Sequence, residues 1–191
     1  MATFVLIPGA WAGGWSWQHV AWFLRRAGHA VHTPTPTGLG ERVHLAHPGI
    51  DLETHITDVA NVLAYEELRD VTLVGHSYGG MLVAGAAERA PERLARLVFL
   101  DALVPQDGET AYDAELIPAD DRRAYAAMAE EAGTPGFLPV LVDYVAPLLP
   151  NERDRAWVLP KLTPHPLATY TQPIRLGNPA AARLPRAYVF C

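Results

Sequence analysis

The stretch that most constrains this chain is VTLVGHSYGGM, Val71 to Met81, in which an apolar run passes without a break into Gly-x-Ser-x-Gly. Gly75 and Gly79 each stand two residues from Ser77. At that spacing a strand can turn into a helix so sharply that neighbouring backbones leave no room for a Cβ. The turn lifts the serine hydroxyl to the carboxyl edge of a sheet, with the amino end of the next helix behind it. Composition alone gives a chain of this length such a pattern about 5% of the time, so context decides. Here the motif follows a Val-rich run, opens an Ala- and Gly-rich segment and comes after two strand–helix units. A glycine-rich turn that merely joins strand to helix is the plainer reading.

Five short runs rich in Val, Phe, Leu and Ile read as buried strands: TFVLI from Thr3, HAVHT from His29, VTLVG from Val71, RLVFL from Arg96 and RAYVF from Arg186. Helix-period segments separate the first four. The first helix is expected to bury a stripe of Val20, Phe23, Leu24 and Ala27 and to end at Gly28. The second repeats the stripe with Ile56, Val59, Ala60 and Leu63, with Asp51 as its N-cap. The third is expected from Ser77 to about Ala90. Alternation of this kind implies an α/β fold with a mostly parallel sheet and helices on both faces.

From about Pro105 the rhythm breaks, and ADDRRAYAAMAEEAG and NERDRAWVL read as helices of an insertion. The expected organisation is therefore a core over 1–104, a helical cap over 105–185 and a returning core strand over 186–191. A loosely packed periphery without a role in binding is the bland alternative for 105–185.

A net charge of −6 with no basic cluster argues against a nucleic-acid partner. No apolar run approaches a membrane span, so no membrane partner is expected. The start of the chain lacks a charged n-region and a long apolar segment, which predicts a cytoplasmic protein. Cys191 is the only cysteine, which leaves no internal disulfide and no cysteine-based metal site. TGLGERV lacks the third glycine of a dinucleotide site, and no Gly-Lys-Ser/Thr exists for a phosphate loop.

IPGAWAGGWSW, Ile7 to Trp17, leaves the first strand through a glycine-rich loop that can offer backbone N–H groups to an oxyanion. Acyl transfer needs two such donors, one from this loop and one from the residue after the nucleophile. Those are Ala10 and Tyr78. A structural turn anchored by Trp15 and Trp17 is the alternative for the loop taken alone. Trp11, Trp15 and Tyr78 with an apolar cap suggest a hydrophobic substrate pocket, Trp11 being the candidate contact, although core packing explains aromatics equally well.

With FVLIPGAWAGGWSWQHVAWFLRRAGHAVHTPTPTGLGER, DVTLVGHSYGGM and PERLARLVFLDALVPQDGE on the page, the chain resembles the α/β-hydrolase superfamily. The resemblance is to bacterial esterases akin to plant methylesterases and hydroxynitrile lyases. It implies hydrolysis of a small carboxylic ester without a cofactor, through a Ser-His-Asp triad and an acyl-enzyme. Ser77 would be the nucleophile, with the N–H groups of Ala10 and Tyr78 as oxyanion donors. The lyases carry a threonine where Gly9 stands, and glycine has no hydroxyl to hold a cyanohydrin. Members with dehalogenase chemistry place an aspartate where Ser77 stands. Pro8 departs from the histidine usual before the loop glycine.

The expected order is Ser, then acid, then His. Only His165 of the eight histidines follows Ser77, and the resemblance gives it no catalytic role; it is expected as a solvated cap residue. His76 belongs to the turn, and its side chain should point away from the hydroxyl. Asp101, ending the RLVFL run, is the candidate acid because some members draw their acid from that strand end; a turn cap is its plain reading. The chain stops inside a strand pattern where the resemblance expects the triad histidine, so the C-terminal strand and helix of the fold are expected to be missing. Three alternatives stand beside it: an esterase in which His165 swings in from the cap and pairs with Asp101, a binding protein that keeps the pocket without a base, and a lyase-like enzyme.

Overall fold

The computed structural model describes residues 1–115 and 117–191. In chain order the core runs β1 (Thr3–Ile7), α1 (Gln18–Arg26), β2 (Ala30–His32), α2 (Leu52–Tyr65), β3 (Val71–His76), α3 (Gly79–Arg89) and β4 (Leu94–Leu100). There follow α4 (Ala111–Ala114), α5 (Ala119–Glu131), β5 (Phe137–Leu138), α6 (Val142–Val145) and α7 (Glu152–Val158). The chain closes with β6 (His165–Pro166), α8 (Ala168–Thr171), α9 (Pro179–Ala182) and β7 (Arg186–Val189).

The main sheet has the order β2-β1-β3-β4-β7, and every pairing in it is parallel. β1 connects outward to β2, whereas β3 returns on its other side and pairs Ile7 with Gly75. The chain thus switches direction between β1 and β3, the position in such sheets from which the loops at the carboxyl ends diverge. Side-chain alternation splits the core in two. Val5, Ile7 and Leu73 face α2 and α3 in the larger apolar cluster, while Leu6, Val31 and Val74 meet Trp17 and Ala21 on the opposite face.

Asp51 caps α2 by accepting from Thr54 N (2.9 Å), and Ile56, Val59 and Leu63 are buried beneath it. The first helix differs from its expected stripe. Ala21 is its buried residue, whereas Val20 and Phe23 are 43% and 67% exposed. The turn over Gly14–Trp17 enters the helix with Trp17 already buried, so the inward line runs Trp17, Ala21, Leu24 at i, i+4, i+7. Gly28 ends it with φ of +84°. The third helix begins at Gly79, because Ser77 is left-handed and cannot extend it.

The segment between β4 and β7 holds the two expected helices, α5 and α7, and a short antiparallel pair that the sequence did not announce. There Phe137 lies opposite Pro166 and Leu138 opposite His165. No helix among the described residues is long and apolar enough to cross a membrane.

Candidate active site

Ser77 lies one residue beyond β3 with φ of +51°, a backbone that a side chain with a Cβ rarely adopts. Hydrogen bonds hold it there. Its N–H donates to Leu100 O (3.4 Å), and its carbonyl accepts from Gly80 N and Leu103 N, both at 3.0 Å. A Cβ on Gly75 would stand 2.5 Å from Gly79 O, and one on Gly79 would stand 2.7 Å from Pro8 O. Both glycines of the motif are therefore required by backbone approach. Ser77 is half-buried, and its Oγ makes no hydrogen bond among the described residues.

Ala10 and Tyr78 occupy the two loops that leave adjacent strands β1 and β3. Neither backbone N–H donates to an acceptor among the described residues. Two unpartnered amides beside Ser77, with the amino end of α3 behind it, form a region favourable to negative charge. A Cβ at Gly9 would come 3.0 Å from His76 Nδ1 and 3.2 Å from Ser77 Cβ.

Asp101 is exposed at the end of β4, with φ of +41° and its N–H donating to Val189 O (2.8 Å). Leu100, just before it, pairs with His76, so Asp101 and Ser77 emerge side by side from neighbouring strands. No imidazole hydrogen-bonds the Asp101 carboxylate among the described residues. Among the described residues no group of three or more His, Cys, Asp or Glu side chains could hold a metal ion.

His165 corrects the sequence reading. It is completely buried, with Nδ1 accepting from Trp11 N (3.2 Å) and Nε2 facing Thr169 Oγ1 (2.9 Å). The Thr169 hydroxyl donates onward to Pro166 O (2.8 Å), so it accepts from the ring and the proton sits on Nε2. Burial, reinforced by the nearby His55, holds its pKa well below the ordinary histidine value. Both nitrogens are committed, and neither hydrogen-bonds Ser77 Oγ among the described residues.

Trp11 is likewise a packed residue more than a free pocket wall. It is 8% exposed, and its indole N–H donates to Leu138 O (3.3 Å). Its backbone has φ of +60°, and its carbonyl accepts from Thr163 N (3.0 Å).

His55 was not singled out from the sequence, although its place on α2, between Leu52 and Val59 in the buried stripe, carried a signal. Its Nε2 donates to Thr37 O (2.8 Å), which leaves Nδ1 to accept from the Tyr78 hydroxyl (3.1 Å). Burial pushes its pKa down to about 4. The Tyr78 ring stacks on Tyr170 at 5.3 Å and meets the His165 ring edge-on at 4.6 Å. Burial raises the pKa values of both tyrosine hydroxyls, keeping them neutral. Tyr78 is thus locked into a neutral aromatic cluster.

A family model described as the alpha/beta hydrolase family matches residues 4–191. A carbendazim-hydrolyzing esterase of a Nocardioides species is 41% identical over 198 residues, covering 99% of this chain and 79% of that protein. Methylesterase 1 of Arabidopsis thaliana is 36% identical over 113 residues, a match spanning 53% of this chain and 40% of that enzyme's length. Among solved structures, an extracellular alpha/beta-hydrolase from a Paenibacillus species superposes with a TM-score of 0.87 at 25% identity. That match covers 100% of this chain and 77% of the other.

Proposed function

The chain belongs to the alpha/beta hydrolase family, and on that premise we propose that it cleaves a small carboxylic ester through Ser77 as nucleophile. The observation that carries the reading is a left-handed serine flanked by two N–H groups without acceptors, those of Ala10 and Tyr78. Ser77 Oγ attacks the ester carbonyl carbon as its proton passes to a base, and the carbonyl oxygen becomes an oxyanion. The two amides stabilise that charge before the C–O bond to the alcohol breaks and an acyl-serine forms. Water then attacks the acyl carbon, restoring the serine and releasing the acid.

Its relatives named as esterases support the ester as substrate class. Gly9, which has no hydroxyl to hold a cyanohydrin, supports the esterase over the lyase reading. Asp101 is the carboxylate this mechanism would use to orient a base above the nucleophile. The commitment of both ring nitrogens of His55 and His165 favours one second reading, a small-molecule-binding protein without turnover.

The two readings separate in p-nitrophenyl butyrate hydrolysis by the chain and by Ser77→Ala, each titrated with imidazole as an external base. The esterase reading predicts release above the variant that rises with imidazole. Superimposed traces at every imidazole concentration would overturn it in favour of binding alone.

A further inference from the structure

Trp11 is held at every polar group it has, and each partner comes from the segment between β4 and β7. Leu138 O takes its indole N–H, Thr163 N–H takes its carbonyl, and His165 Nδ1 takes its backbone N–H. These contacts fix the two peptide groups flanking a residue at φ of +60°. Left to itself, such a backbone is disfavoured for a bulky side chain and would relax. Ala10, the proposed oxyanion donor, lies between this clamp and the end of β1 at Ile7, with only Pro8 and Gly9 intervening.

We propose that His165 is a positioning residue of the oxyanion site: by accepting from Trp11 N–H, it holds the loop so that the Ala10 N–H faces the space above Ser77. This rests on the reading of Ala10 and Tyr78 as the oxyanion donors. An imidazole can accept at Nδ1 only when neutral and protonated at Nε2, and the Thr169 hydroxyl, itself tied to Pro166 O, selects that tautomer. The same ring lies edge-on against Tyr78, so one side chain braces the residues supplying both donors. His55 and Tyr170 are its other aromatic neighbours, at 5.6 and 5.4 Å between ring centroids. The His165 imidazole itself touches none of the reacting atoms, which is why the residue positions and does not catalyse.

The test compares His165→Asn, whose Oδ1 can occupy the place of Nδ1, with His165→Leu, which fills the volume without an acceptor. Two readouts are taken: amide hydrogen exchange at Trp11, and kcat and KM for imidazole-assisted hydrolysis of p-nitrophenyl butyrate. The leucine variant should lose Trp11 protection and about 10- to 100-fold in kcat, with KM nearly unchanged, since a displaced donor weakens the transition state more than binding. The asparagine variant should keep protection and most of kcat. Thr169→Val, which keeps the imidazole but removes its tautomer lock, should move both readouts in the leucine direction and serves if His165→Leu does not fold. Equal Trp11 exchange in wild type and His165→Leu would overturn the clamp. So would kcat losses of the same size in the asparagine and leucine variants. Absence of Ser77-dependent turnover in the wild type would refute the esterase reading instead, and the exchange measurement would still decide whether His165 holds the loop.

Discussion

Replacing Gly80 with alanine tests the elbow where its geometry is tightest. A Cβ at Gly80 would stand 1.9 Å from Leu103 O, with Leu103 C and N at 2.9 and 3.0 Å. All three are backbone atoms and cannot rotate away. Reaching even 3.0 Å requires α3 and the loop after β4 to separate by 3.0 minus 1.9, about 1.1 Å. That movement stretches the Leu103 N–H bond to Ser77 O, now 3.0 Å. Overpacking costs about 1–3 kcal/mol and a lost buried hydrogen bond a similar amount. Alanine's better helix propensity returns about 1 kcal/mol. The net loss is about 3 kcal/mol, or about 6–12 °C in Tm for a chain of this size. Gly108→Ala is the control: at φ of +82° with nothing within 4 Å of its Cβ, it carries only backbone strain, about 1 kcal/mol. Thermal unfolding followed by circular dichroism should therefore rank Gly80→Ala well below Gly108→Ala. The proposed hydrolysis should fall about 100-fold in Gly80→Ala, because the Tyr78 N–H moves with the helix. A Gly80→Ala Tm within 2 °C of wild type, or above that of Gly108→Ala, would refute the packing argument.

Two further perturbations probe the scaffold. His55 stays neutral in the fold down to about pH 4, whereas in the unfolded chain it takes up a proton below about 6.5. Unfolding therefore binds protons in that window, and stability falls as pH falls from about 6.5 towards 4, by about 1.4 kcal/mol per pH unit. His165 shifts in the same direction through burial, so it steepens the wild-type slope, and His165→Asn should make the slope shallower in urea titrations at a series of pH values. A flat stability profile across the window would contradict the neutral burial of both rings. Arg93 closes the end of α2 by donating from Nη1 to Leu63 O and Leu68 O, each at 3.2 Å. Arg93→Ala should lower unfolding free energy by about 2 kcal/mol with an unchanged m-value; an unshifted urea midpoint would dismiss the role.

The strands of the main sheet were legible as short apolar runs rich in Val, Leu, Phe and Ile, and the parallel sheet followed from their alternation with helices. The turn at Ser77 was legible for a related reason: Gly75 and Gly79 are required by local backbone approach, which spacing records. The phase of α1 was not legible, since Trp17, outside the helix, decides which face turns inward. His165 was misread because its partner on Trp11 lies 154 residues away, and a single histidine between prolines has no period to announce burial. The pair β5 and β6 is two residues long on each strand, too short for an alternation to show. What the sequence lacked throughout was long-range contact, and that is what turns a glycine-rich loop into a held one.

The most direct test of the account is covalent. The chain is incubated with p-nitrophenyl butyrate and imidazole, quenched in acid and mapped by peptide mass spectrometry. The account predicts one butyryl group on the peptide carrying Ser77, absent from Ser77→Ala. An unmodified Ser77, or butyrylation that persists in the variant, would contradict it.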